Sequence, residues 1–289
     1  MDILMQKLEQ WLRDILTDGI KANLSGLFDQ VNTKVAEIAV TVGKTPQSWN
    51  PSIYNMIKNI SDNVMVPIAA IILAIVMTTE LIQMVIERNN FNDGDTFGFM
   101  KWILKSAIAI EIVTNTWNIV MAVFDVGQHI VNNAAGVAIG SVAIDNNLFM
   151  NGIDAKLAAM TLGALLGLWM QTGVVKICLS ILQVCILVVV FGRMIEIYCV
   201  TSVAPVPMAT MMNKESGDLG KNYLRSLAAL AFQAFLIIVC VAIYAALVQH
   251  ISVAADISYA LWTCMGYTVL LCFSLFKTGS LAKSIFNAR

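Results

Sequence analysis

The chain has 289 residues, of which 58% are hydrophobic and only 13% charged, with a net charge of −1 and a mean hydropathy of +0.75. A soluble domain is roughly 45–50% apolar and about 25% charged, so this chain cannot clothe a water-facing globule. The near-zero net charge also excludes a broad basic surface for nucleic acid.

Residues 2–42 open the chain with apolar positions at helical spacing: Leu4, Leu8, Trp11, Leu12, Ile15 and Leu16, then Leu24, Leu27, Phe28, Val31, Val35 and Ile38. Charges interrupt them too often for an apolar span, so the zone reads as an amphipathic helix on a membrane surface or against partner helices. Gly19 and Ser25-Gly26 predict breaks that cut it in two. A basic end followed by an uninterrupted apolar core is missing, so no cleavable signal peptide is expected. Lys44 to Pro51, with two prolines, reads as a loop.

Span one is predicted from about Val64 to Ile86, with Pro67 in its first turn, where a missing amide hydrogen costs little. A polar turn, Asn89 to Gly98, leads to span two, which starts near Met100, reaches at least Phe124 and can continue to about Gly140. A polar loop, Asp145 to Asp154, follows. Leu157 to Ser202 is almost continuously apolar and would measure about 69 Å as one helix, twice the hydrocarbon thickness. Two arrangements fit: a re-entrant or buried segment to Met170 and then span three from Val174 to Val200, or two spans with a tight turn at Gln171-Thr172-Gly173. Thr201 to Asn222 reads as a loop, Tyr223 to Val248 as span four, Gln249 to Asp256 as a turn and Ile257 to Phe276 as span five. The fold predicted is therefore all-α: a polytopic transmembrane helix bundle of about five spans. Residues 1–58 form its amphipathic N-terminal region, 59–276 the bundle and 277–289 a tail.

Lysine and arginine near span ends set orientation. Arg88, Lys101 and Lys105 flank one loop, Arg193, Lys214, Lys221 and Arg225 another, and Lys277, Lys283 and Arg289 the tail. Five spans place these in the cytoplasm, with the C-terminus cytoplasmic and the N-terminus outside. The lysines of the first zone favour six spans instead.

No phosphate-binding loop, zinc-protease helix or nucleophile elbow occurs, so neither an enzyme nor a cofactor is expected. The six cysteines lie in or beside apolar runs without a CxxC pair and read as free thiols. The informative residues are polar ones inside spans. Glu111, Asn115, Asn118, Asp125 and Asn132 are spaced 4, 3, 7 and 7 apart, one stripe on a helix. A carboxylate facing lipid costs at least a few kcal/mol, so the stripe either lines a wet path or holds the bundle together by interhelical hydrogen bonds. Glu80 and Lys176 snorkel or pair with Glu111, and Arg193 and Glu196, three apart, are spaced for an ion pair. Gly163-xxx-Gly167 and Gly136-xxx-Gly140 allow close helix approach. Pro205, Pro207, Met208, Met211 and Met212 make an adaptable patch suited to docking a partner.

From Val190 to Tyr244, Arg193, Glu196 and Tyr198 end a span. Ala204-Pro205 and Pro207 follow, then Gly217, Gly220, Tyr223 and Gln233. This pattern resembles the TrbL-type polytopic inner-membrane subunit of conjugative type IV secretion systems, particularly the versions on Gram-positive mobile elements. The resemblance implies a channel-type subunit, present in several copies, through which DNA and attached protein pass. It also implies partnership with separate ATPases and other membrane subunits of the conjugation machine. The rival readings are a small-solute transporter and a membrane assembly factor of another secretion system.

Overall fold

The structure, a computed structural model, describes residues 2–87, 96–139, 153–213, 217–251 and 256–288. Residues 89–95 and 252–255 of the expected turns and 145–152 of the expected loop fall outside the described residues, as do Arg88, Gly140, Lys214 and Arg289. Every regular element among the described residues is helical: α1 Asp2–Val42, α2 Pro46–Trp49, α3 Pro51–Ile60, α4 Val66–Glu87, α5 Thr96–Thr114, α6 Thr116–Ile139, α7 Ile153–Ala159, α8 Leu162–Ser202, α9 Pro205–Thr210, α10 Gly217–Gln249 and α11 Ile257–Ile285. A single π-helical stretch, Ser61–Met65, joins α3 to α4 without stopping the rod.

Among the described residues, four helices are long and apolar enough to cross a bilayer: Pro51–Ile86, Leu162–Ser202, Gly217–Gln249 and Ile257–Ile285. Phe97–Thr114 and Thr116–Val137 pass the same test together but meet at 67°, which makes five if the bent pair is one span. The chain is an all-α, polytopic membrane protein.

Several boundaries differ from the sequence reading. Span one begins at Pro51, because Asn50 caps the helix: its Oδ1 accepts the amides of Ser52 and Ile53, both at 3.1 Å, and Pro51 occupies the first turn. Thr45 caps α2 in the same way, accepting the Ser48 amide at 3.1 Å, so the expected loop is a pair of capped turns. Neither arrangement of the long apolar run is found. After the short α7, α8 runs unbroken for 41 residues. Thr172 does not open a turn, because its hydroxyl donates back to the carbonyl of Trp169 at 2.8 Å and is satisfied within the helix. The tail beyond Phe276 continues as helix to Ile285.

α1 is one helix of 41 residues, not two pieces. Glycine in a helix interior costs about 1 kcal/mol, which packing overrides here. A Cβ on Gly19 would stand 2.7 Å from the indole nitrogen of Trp169, so the missing side chain admits the ring.

The chain divides into two compact units, residues 1–42, 132–190 and 236–277, and residues 43–131, 191–235 and 278–289. In the first, α1 runs beside α8 in the same direction. Arg13 donates to the carbonyls of Ala158 and Met160 (3.2 and 2.8 Å), Asn23 Nδ2 to Thr172 Oγ1 (3.1 Å), and Gln183 Nε2 to Gln30 Oε1 (3.4 Å). Leu16, Ile20, Leu24 and Leu27 form the buried stripe of α1. The second unit has two apolar clusters. One joins Val120 and Phe124 of α6 to Met194 and Ile197 of α8 and Leu227, Leu230 and Ala231 of α10. The other joins Ala69, Leu73 and Met77 of α4 to Ala109 and Val113 of α5 and Ala209 of α9.

Candidate functional site: polar faces on apolar helices

The residues of the expected polar stripe lie on two helices that meet at 67°. Three successive side chains hydrogen-bond back to carbonyls one turn earlier: Thr114 Oγ1 to Ile110 (2.9 Å), Asn115 Nδ2 to Glu111 (3.2 Å) and Thr116 Oγ1 to Ile112 (2.8 Å). Back-bonding of this kind bends helices. Here three cases in a row coincide with the 67° turn, without proline or glycine. Span two is therefore not the single rod that the sequence predicts.

Glu111 and Asn115 lie before the turn and are joined, Nδ2 to Oε1, at 2.7 Å. Asn118, Asp125 and Asn132 continue along α6. Glu111, Asn118, Asp125 and Asn132 are exposed on the single chain, and Asn115 is half-buried. The opposite face of α6 is buried: Trp117, Val120, Phe124 and Val131. The helix is thus amphipathic, with one apolar side in the chain's own core, while Val126, Ile130 and Val137 stay exposed beside the polar face. Gly127 lets α10 approach that side, since a Cβ there would meet the Ala231 side chain at 3.0 Å and its carbonyl oxygen at 3.2 Å.

The intramembrane charges find other partners than those expected. Glu80 pairs with Lys105 of α5, not with Glu111, and its second oxygen is buried without a partner. Lys176 is half-buried in the first unit. Glu196 turns from Arg193 to Lys283 of α11, 3.1 Å away. Arg193 is only 6% exposed and meets no carboxylate within ion-pair distance among the described residues. Its Nε and Nη2 share the carbonyl of Leu230, each at 3.4 Å, and Nη1 lies 3.9 Å from Met194 Sδ. Lys105, Lys283 and Leu230 were invisible as partners, because each lies at least 25 residues from the group it meets.

The proline and methionine segment is not a free loop. Pro205 to Thr210 forms α9, with Pro205 and Met208 buried and Pro207, Met211 and Met212 half-buried. Met212 packs beside the cluster formed by α4, α5 and α9. The start of α10 presses on the same segment: a Cβ on Gly220 would stand 2.6 Å from the Pro207 carbonyl oxygen, and one on Gly217 2.8 Å from that of Met211. The glycines of this stretch therefore serve close approach. Tyr198 and Tyr223 also anchor the chain's own backbone, to Pro46 (2.6 Å) and Val200 (3.0 Å). By contrast, Gly136, Gly163 and Gly167 face open space, so the glycine pairs give no close helix contact within the described chain.

The described residues thus show polar faces and paired charges on helices that are otherwise apolar. The model of a family described as TrbL/VirB6 plasmid conjugal transfer like protein matches residues 31–205, more than half of the 289. The chain belongs to this family. The match overlaps the stretch that suggested the resemblance only over residues 190–205, so Gly217, Gly220, Tyr223 and Gln233 lie beyond it. No curated protein and no solved structure matches the chain. As a TrbL/VirB6-like protein it is a membrane subunit of a conjugal transfer system, and it works with other components of that machine. The bent stripe from Glu111 to Asn132 lies wholly inside the matched residues.

Proposed function

We propose that several copies of this TrbL/VirB6-like chain, with partner subunits, surround a hydrated path in the cytoplasmic membrane. DNA and attached protein cross by this path during mating. The chain supplies walls, while separate ATPases supply the driving force. The observation that carries the reading is the exposed polar face of α6, continuous with Glu111 and set at 67° to α5. A face bearing Asn118, Asp125 and Asn132 is costly against lipid and well suited to water or to a polar partner.

The basic residues Lys221 and Arg225 at the start of α10, and Lys277 and Lys283 near the end of α11, support a cytoplasmic C-terminus. The N-terminus then lies outside. The segment 201–222 sits on the cytoplasmic side in this reading and is where a motor or coupling protein docks.

The test is substitution of Glu111, Asn118 and Asp125 by leucine. Membrane levels are expected to hold while DNA transfer falls at least tenfold. Normal levels with normal transfer would rule out a lining role. Solute uptake by the purified protein alone in liposomes would favour a transporter instead.

A further inference from the structure

Helix α1 is too polar to count as a span by composition, yet its register against its neighbours sets its depth. Residues Ile257 to Phe276 of α11 are twenty in a row without an acidic or basic side chain. At 1.5 Å per residue they measure about 30 Å, the thickness of the hydrocarbon layer. Ser258 at the start of that stretch donates to Gln171 Oε1 at 2.8 Å, so the layer begins on α8 near Gln171. Further along, Tyr244 of α10 bonds Thr268 of α11 at 2.9 Å. Tyr244, Thr268 and Leu271 also share one small cavity with Leu179, Gln183 and Ile186 of α8 and with Lys34 and Ile38 of α1.

The same level can be read across to α1 directly. Asn23 bonds Thr172, and Gln30 bonds Gln183. Residues from about Asn23 to Ile38 therefore stand at the depth of the most apolar part of α8. There the outward side chains of α8 include Val174, Ile177, Ile181, Val184, Leu187 and Val188, an apolar strip fit for lipid, and Ser180 beside it donates its hydroxyl back to the carbonyl of Lys176.

Among the described residues, the outward side chains of α1 at that depth are small or polar: Ala22, Asp29, Thr33, Ala36 and Glu37. Glu37 is paired with Lys34 one turn away, and both remain partly exposed. Within one unit, at one depth, one helix shows an oily face and its neighbour a charged one. A bilayer can cover the first but not the second.

We infer that α1 crosses the membrane alongside α8 in the same direction, which makes five crossings with the bent pair α5–α6 returning to the side it entered from, and that its outward face, Ala22 to Glu37, borders water inside the assembled path. Water is the occupant because the described outward side chains there are acidic, hydroxyl-bearing or short rather than large and apolar. Its side chains at Ala22, Gly26, Thr33 and Ala36 are also short, and a Cβ on Gly26 would meet nothing within 4 Å. The inference rests on the proposed function only for what the water is there to do.

Cysteines placed singly at Thr33, Ala36, Ile181 and Val184 of the full-length protein in native membranes test it. Each is offered a membrane-impermeant maleimide and, separately, an apolar maleimide dissolved in the lipid, with modification located by peptide mass. The expected result is that T33C and A36C react with the impermeant reagent at least tenfold faster than I181C and V184C, which take the lipid-dissolved one. Reaction of T33C and A36C with the lipid-dissolved reagent alone would place this face in lipid. Reaction with neither would mean that protein, such as a second copy, covers it. Fast reaction of I181C with the impermeant reagent would put this level outside the bilayer. Any of these three overturns the inference. Labelling reports placement whether or not DNA transfer needs the face, so failure here and failure of the proposed function are separable.

Discussion

Arg193 of α8 shares the carbonyl oxygen of Leu230 of α10 between two guanidinium nitrogens, each at 3.4 Å. The planar fork suits this geometry and is more weakly hydrated than an ammonium group. Arg193→Lys is therefore expected to lower the melting temperature in detergent more than Arg193→Met does, by the equivalent of about 1–3 kcal/mol. Met removes the buried charge and fills the same space. A lysine variant as stable as the parent, beside a collapsed methionine variant, would show that the site needs charge and not shape.

Glu80 and Lys105 join α4 to α5, with side chains 15% and 27% exposed. Removing one partner strands the other at low exposure. Each single alanine variant is expected to lose about 1–3 kcal/mol, and the double variant less than the sum. A double-mutant cycle of thermal stability in detergent measures the coupling. Strict additivity would mean that the pair contributes nothing.

The turn between α5 and α6 depends on three side chains returning to the backbone. Replacing Thr114, Asn115 and Thr116 by Val, Leu and Val removes those bonds. Spin labels at Leu104 and Ile130 read the consequence. In a straight helix the two backbone positions would be about 39 Å apart. The parent is expected to read shorter and the triple variant to move toward the straight value. An unchanged distance would assign the turn to tertiary packing.

Gly220→Ala places a methyl group 2.6 Å from the Pro207 oxygen, against backbone that cannot step aside cheaply. Overpacking of this kind costs typically about 1–3 kcal/mol. The steady-state membrane level is expected to fall severalfold, with Gly136→Ala, in open space, as the matched control. Equal levels of the two variants would contradict the close approach.

The spans were legible because burial in oil is written in composition: Tyr223 to Val248 and Ile257 to Phe276 each lie inside a continuous helix. Local chemistry was partly legible. Thr114-Asn115-Thr116 could have been read as a bend, since each residue carries a group able to reach the preceding turn. Pairings across the fold were not. Spacing favoured Arg193 with Glu196, but a lysine 87 residues on took the carboxylate, and nothing local announces that choice. The expected loop form of the proline and methionine segment was wrong for a related reason. Met208 looked available on a supposed loop, yet the segment coils into α9 and packs on α4 and α5. The depth of α1 was hidden too, because hydropathy measures a helix alone and its neighbours decide where it stands.

The length of α8 has its own consequence. Forty-one residues make a rod of about 62 Å against an oil layer of roughly 30 Å. Even a lean of 40°, at the steep end for membrane helices, shortens its projection only to about 47 Å. The rod must therefore rise about 17 Å or more beyond the hydrocarbon in total. A visiting subunit would meet a stiff ledge already in place, one that need not be built afresh at each encounter.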